Sequence, residues 1–213
     1  ILQKTLADHR NTLMITSPLP EDGKTLPAIN LALSISQELA QTVLLIDVDL
    51  RAPSIHQYFG LPAEPGLVDY LEGQASIPEI LVHPQGINSL VVLPGGKPTE
   101  WAAELIRSPR MAELVPELKH CYPDRYVIFD LPPVLSYADA LAFAPLVDSI
   151  VLVVAARQTS REDLSQCVEM LQAYPILGYV LNKVEKLNTS RYYRDYKRNG
   201  QPKRWFSKFK PER

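Results

Sequence analysis

Six apolar runs divide the chain: "TLMIT" from Thr12, "TVLLIDVD" from Thr42, "SLVVLPGG" from Ser89, "YVIFDLPP" from Tyr126, "SIVLVVAA" from Ser149 and "ILGYVLNK" from Ile176. Each is continuous rather than alternating, which is the pattern of strands buried on both faces. Between them, helical spacing of apolar positions runs over Lys24 to Ala40, Thr99 to Ser108, Pro109 to Cys121, Ala138 to Leu146 and Ser160 to Ala173. Strand and helix in repeated alternation predict an α/β fold, a mostly parallel central sheet with helices on both faces. After Asn182 the pattern dissolves into "TSRYYRDYKRNGQPKRWFSKFKPER", polar and basic with aromatics interspersed. This predicts one domain over residues 1–190 and a flexible tail over 191–213.

Ligands of open parallel sheets bind outside the carboxyl ends of the strands. Here those ends carry Ser17, Asp47 with Asp49, Gly95 with Gly96, Asp130, and Asn182 with Lys183. Polar chemistry therefore gathers on one edge of the predicted sheet.

Composition narrows the picture. A length of 213 residues with 46% hydrophobic content fits a single α/β domain. No apolar run approaches the ~18 residues that span a bilayer, and no basic-then-apolar signal opens the chain, so a cytosolic location is expected. The abrupt start at Ile1, shortly before a strand, predicts further residues upstream. Cys121 and Cys167 lack CxxC spacing and read as reduced structural thiols, and the four histidines, lacking HxxxH spacing, predict no zinc site. Net charge is −2 but uneven. From Arg191 to Arg213 nine Lys/Arg face Asp195 and Glu212, a charge of +7, which leaves −9 on Ile1 to Ser190.

The stretch "SPLPEDGKTLPAINLA" from Ser17 holds the first chemical motif. The pattern G-x-x-x-x-G-K-[ST] would begin with glycine at position 18, where this chain has Pro18. What survives is Gly23-Lys24-Thr25 between a strand and a helix. Loop amides and a helix N-terminus favour phosphate oxygens there, Lys24 adds a positive charge for the β- and γ-phosphates, and the Thr25 hydroxyl suits Mg²⁺. Pro20 lacks an amide, and Glu21 and Asp22 bring carboxylates that are expected to point outward, away from a bound anion. Leu26 and Pro27 open the helix, whose first turn tolerates proline.

Three acids accompany the loop. Asp47 and Asp49 are two residues apart and are expected to project on the same side of an extended segment, while Asp130 follows "YVIF". A divalent cation would offset the cost of burying such carboxylates. The plain alternative for each is a helix cap at a strand–helix junction.

At these residues the chain resembles a known family. "TSPLPEDGKTLPAINLALSIS", "VLLIDVDLRAPSIHQYFGL" and "YVIFDLPPVLSYADA" are similar, in order and spacing, to the Walker A, Walker A′ and Walker B motifs of bacterial tyrosine kinases, especially the autokinases associated with exosortase systems. "ELIRSPRMAELVPELKHCYPDRYVIFD" and "GYVLNKV" extend the likeness. The resemblance implies a P-loop NTPase fold of deviant-Walker type and an ATP- and Mg²⁺-dependent tyrosine autokinase that regulates exopolysaccharide assembly and export. It implies that the loop residues Pro20, Glu21, Asp22, Gly23, Lys24, Thr25 and Leu26 bind nucleotide, with Lys24 gripping the phosphates and Thr25 holding Mg²⁺. Asp47 and Asp49 would position metal and activate the attacking hydroxyl, Asp130 would hold the metal's water shell, and Asn182 would read the adenine edge. Glu21 stands where the family has its first loop glycine.

The family also ends in a tyrosine cluster phosphorylated by a neighbouring subunit, which Tyr192, Tyr193 and Tyr196 in "RYYRDYKR" match. Implied partners are a membrane-embedded polysaccharide chain-length or export activator and further copies of the chain, at the cytoplasmic face of the membrane, with no specific nucleic acid. Two alternatives stay open at this point. One is a nucleotide-operated switch of the partition or division-site type, whose segment "KRWFSKFK" would contact anionic lipid or stack single-stranded nucleic acid. The other is a non-catalytic scaffold.

Overall fold

All six apolar runs form strands: β1 (Thr12–Thr16), β2 (Thr42–Asp47), β3 (Leu90–Leu93), β4 (Arg125–Asp130), β5 (Ser149–Ala155) and β6 (Ile176–Asn182). The computed structural model describes residues 5, 10–38, 41–121 and 125–185. The strands pair in the order β3-β2-β4-β1-β5-β6, every pair parallel. Their carboxyl ends therefore share one edge, and the register sets Asp47 of β2 directly beside Asp130 of β4.

Alternation along the strands builds two core layers. Leu13, Ile15, Val43 and Leu45 face one side, where Ala28, Ile29, Ala32 and Ile35 of helix α1 (Thr25–Ser36) cover them. Met14, Leu44, Ile46 and Phe129 face the other side. There they meet Met111, Leu114 and Val115 of a helix over Pro109–Cys121 and Phe143 of another over Asp139–Phe143. The Phe129 and Phe143 rings lie 4.9 Å apart in a tilted pair.

The helix expected over Lys24 to Ala40 runs from Thr25 to Ser36. Thr99 to Ser108 shortens to Ala102–Ile106, Ser160 to Ala173 to Arg161–Met170, and Ala138 to Leu146 splits into Asp139–Phe143 and a 3₁₀ turn over Ala144–Leu146. Three short helices, Ile55–Phe59, Leu67–Leu71 and Ile77–Ile80, were not expected. Four or five residues complete barely one turn, too little for a helical period to show in sequence.

One unit runs to Lys183. Of the second, Val184–Arg213, only Val184 and Glu185 are described, so Tyr192, Tyr193, Tyr196 and the "KRWFSKFK" segment lie outside the described residues. Among the described residues no helix is long and apolar enough to cross a membrane.

Candidate active site

The segment from Ser17 to Lys24 joins β1 to α1 at the carboxyl edge of the sheet. Glu21 and Gly23 both take left-handed backbone, with φ 63° and 81°. For Glu21 that conformation costs about 1–2 kcal/mol, which gives a physical reason for the family's glycine at this position. At Gly23 a further constraint acts, because a Cβ would lie 2.4 Å from Asn182 Nδ2. Among the described residues, the amides of Gly23, Lys24 and Thr25 donate to no protein acceptor. They remain available to an anion at the start of α1.

Glu21 is exposed, as expected, but Asp22 is not. Its side chain turns inward, 2% exposed, where Oδ2 accepts from the Leu19 amide at 3.0 Å and Oδ1 from the Thr159 hydroxyl at 2.8 Å. These two donors outweigh the outward pull of hydration on the carboxylate. Pro20 is exposed, and Leu26, 47% exposed, stands on the open face of the first helical turn.

The loop cation and the acids converge. Lys24 Nζ lies 2.9 Å from Asp49 Oδ2 and 3.6 Å from Asp130 Oδ1. Thr25 Oγ1 donates to Asp130 Oδ2 at 2.6 Å, joining residues 105 positions apart. Asp47 and Asp49 both act on the Lys24 ammonium but take different hydrogen-bond partners. The Asp47 carboxylate accepts from the amides of Ser54 at 2.7 Å and Ile55 at 2.9 Å, and from Asp49 N at 3.2 Å. It therefore also does the work of a cap for the helix over Ile55–Phe59.

The electrostatics follow from crowding at low dielectric. Burial pushes Asp47 up to about 7, with Asp130 adding to the rise and the Ile55 and Ser54 amides and Lys24 opposing it. Asp130 is also raised, chiefly by burial, against the pull of Lys24 and Thr25. Burial lowers the Lys24 pKa, but Asp130 and Asp49 outweigh it and hold the ammonium above its ordinary range.

One atom in the cluster is left over: Asp130 Oδ1 is buried and has no hydrogen-bond partner. Such an acceptor suits the donors that a hydrated Mg²⁺ carries. Among the described residues no three carboxylate, imidazole or thiolate groups converge to enclose an ion. Thr25 and Asp49, two of the residues expected to hold Mg²⁺, stand beside the third, Asp130, and the loop cation Lys24.

Asn182, at the end of β6, donates from Nδ2 to the carbonyls of Asp22 at 2.9 Å and Gly23 at 3.2 Å. In this state it braces the loop. Residues that sequence reasoning did not single out complete the rim. Arg51 Nε pairs with buried Asp139 Oδ2 at 2.8 Å, and its guanidinium stacks 4.6 Å over the Tyr137 ring. Their signal was present in the quoted stretches "DLRAP" and "SYADA", yet nothing there paired one with the other. Cys167 is a free, buried thiol pushed up to about 12, first by burial and then by Asp22.

A glycine-lysine-threonine loop between the first strand and first helix of a parallel sheet, facing acids from two neighbouring strands, defines a P-loop ATPase. A family model described as an AAA domain matches residues 22–176. Tyrosine-protein kinase YwqD of Bacillus subtilis is 37% identical over 186 residues, 85% of this chain and 77% of YwqD. The succinoglycan biosynthesis transport protein ExoP of Rhizobium meliloti is 33% identical over 196 residues, 89% of this chain but 24% of ExoP. The solved kinase domain of the Escherichia coli tyrosine kinase Etk superposes with a TM-score of 0.79 at 31% identity, over 89% of this chain and 74% of that one. The chain belongs to the bacterial tyrosine-protein kinase family. It spans about a quarter of the length of several of the curated relatives that it matches.

Proposed function

We propose that this chain is the catalytic domain of an ATP-dependent protein-tyrosine autokinase that acts in exopolysaccharide production. The observation that carries the reading is the meeting of Lys24, Thr25, Asp49 and Asp130 at one phosphate loop, with one buried oxygen of Asp130 lacking a hydrogen bond. The loop amides and Lys24 bind the triphosphate, and Asn182 lies at the loop end where an adenine would sit. Mg²⁺ held by Thr25, Asp49 and Asp130 would neutralise phosphate charge. As Lys24 turns to the phosphates, Asp49 is released from its ion pair and can orient the tyrosine hydroxyl. That oxygen attacks the γ-phosphorus, the bond to the β-phosphate oxygen breaks, ADP leaves, and the phenolic proton passes to Asp49. Asp47, buried and bonded to the amides of Asp49, Ser54 and Ile55, fixes the backbone that carries Asp49.

The acceptors in this reading are Tyr192, Tyr193 and Tyr196 of a neighbouring copy. The +7 tail suits the −9 body electrostatically. Each phosphate adds about −1.5 to −2 charge, so several would neutralise the tail and loosen contacts with acidic neighbours or anionic lipid. Likeness to ExoP, a succinoglycan biosynthesis transport protein, supports a membrane-embedded export activator as partner and a location at the inner face of the membrane.

The test mixes a Lys24→Met chain with an intact tail and an active chain whose three tail tyrosines are Phe. Phosphate from γ-labelled ATP should appear on the inactive partner's tail. Label on wild type alone, with none in the mixture, would rule out transfer between subunits, and no label on wild type would reject the kinase reading.

A further inference from the structure

We infer that Thr159 is a positioning residue for the phosphate loop, acting through Asp22. This rests on the nucleotide reading above and adds to it a residue from the turn after β5, the strand beside β1.

Asp22 is a carboxylate at 2% exposure, directly before Gly23 and Lys24. One oxygen accepts the Leu19 amide at 3.0 Å and closes the loop upon itself. The other accepts the Thr159 hydroxyl at 2.8 Å, across 137 positions of sequence. A hydroxyl has one proton to give. The Ala155 amide donates to Thr159 Oγ1 at 3.1 Å, which takes up a lone pair and leaves the proton for Asp22. Thr159 N in turn bonds Ala155 O at 3.1 Å, so the turn after β5 is closed and its hydroxyl is aimed.

Backbone strain marks the same region. The non-glycine residues with left-handed φ among those described are Glu21, Arg157 and Lys183. They belong to the phosphate loop, the turn after β5 and the end of β6. Strain of this kind persists only where its surroundings over-determine it. Two ties do so here: the Asp22–Thr159 bond from β5, and the Asn182 amide from β6 on the carbonyls of Asp22 and Gly23. Lys183 Nζ, bonded to Gln158 Oε1 at 2.9 Å, joins the second and third segments. The latch holds the free amides of Gly23 to Thr25 in the geometry that a phosphate needs, so its loss falls on binding before it falls on the fold.

The experiment compares full-length Thr159→Val, Thr159→Ser and Asp22→Asn with wild type, by amide hydrogen exchange without nucleotide and by calorimetry with Mg-ADP. In wild type the Leu19 amide should exchange slowly. In Thr159→Val it should exchange roughly ten- to a hundredfold faster, with Mg-ADP affinity falling by a similar factor. Thr159→Ser, which keeps the hydroxyl, should restore both. A double Thr159→Val/Asp22→Asn variant should lose no more than the worse single one, because the two side chains act as one bond. Unchanged Leu19 exchange in Thr159→Val overturns the latch, and so do additive losses in the double variant. Wild type that protects Leu19 yet binds no nucleotide would overturn the nucleotide reading while leaving the latch in place.

Discussion

Carboxylates stand at both edges of the sheet, half-buried at one and fully buried at the other, and they are treated in opposite ways. At the amino edge, Asp148 accepts on Oδ2 from the amides of Asn11 and Thr12, both at 3.1 Å, and from Thr12 Oγ1 at 2.7 Å, while Lys119 pairs with Oδ1. At the carboxyl edge, Asp47 and Asp130 sit side by side in the ladder, and one oxygen of Asp130 has no hydrogen bond. Burial raises all three acids. At Asp148 the bonds from Lys119 and Thr12 overcome it and hold the pKa below the ordinary value, whereas at Asp47 and Asp130 burial and mutual repulsion win. A satisfied carboxylate ties strands together. An unsatisfied cluster stores electrostatic cost that a cation or phosphate chemistry can use.

The comparison breaks most visibly if the two acids respond alike to loss of charge. Asp130→Asn should lower autophosphorylation roughly a hundredfold or more, with a melting temperature at or above that of wild type, since it relieves a costly charge. Asp148→Asn should instead cost about 1–3 kcal/mol of stability and leave Mg-ADP affinity unchanged. Calorimetry on both variants checks the pair, and a stability loss at Asp130 equal to that at Asp148 would make both acids structural.

A smaller effect sharpens it through pH. The folded-state pKa of Asp148 is depressed, so its contribution is fully present above the ordinary value of 3.8 and is lost as pH falls through the lower folded value. The stability gap between wild type and Asp148→Asn, measured by denaturant midpoints, should therefore be constant near neutrality and narrow below about pH 4. A gap that held constant down to pH 2 would remove the ionic basis of this tie.

The smallest expected effect lies in the loop. Glu21→Gly should stabilise by about 0.5–1 kcal/mol, the strain relieved less the entropy that glycine adds. No gain in thermal stability would mean that Glu21 is held by contacts that offset its backbone.

Legibility in the sequence tracked distance along the chain. The six strands and the Pro109–Cys121 helix were readable because a run of apolar residues is a local signal. The placing of the Gly23-Lys24-Thr25 loop and the three acids at one edge was readable because they lie at or shortly after the ends of strands, and parallel strands bring their ends together. The inward turn of Asp22 was not readable, since Thr159 is remote in sequence and is an ordinary threonine in "RQTSRED". The partners of Asp47 were hidden for another reason. They are backbone amides, those of Ser54 and Ile55, which side-chain pattern does not mark.

An all-parallel sheet also governs how the molecule comes into being. Each ladder needs a crossover, and β1 sits between β4 and β5, so the earliest of the six described strands pairs with strands made more than a hundred residues later. Contacts so remote in sequence close slowly, because chain entropy is lost before any bond rewards it. The bond from Thr25 to Asp130 cannot exist in a nascent chain that lacks β4, nor the brace from Asn182 in one that lacks β6. The phosphate site is therefore a product of complete folding, and a ligand that binds only the finished site draws the whole domain toward the folded state by mass action.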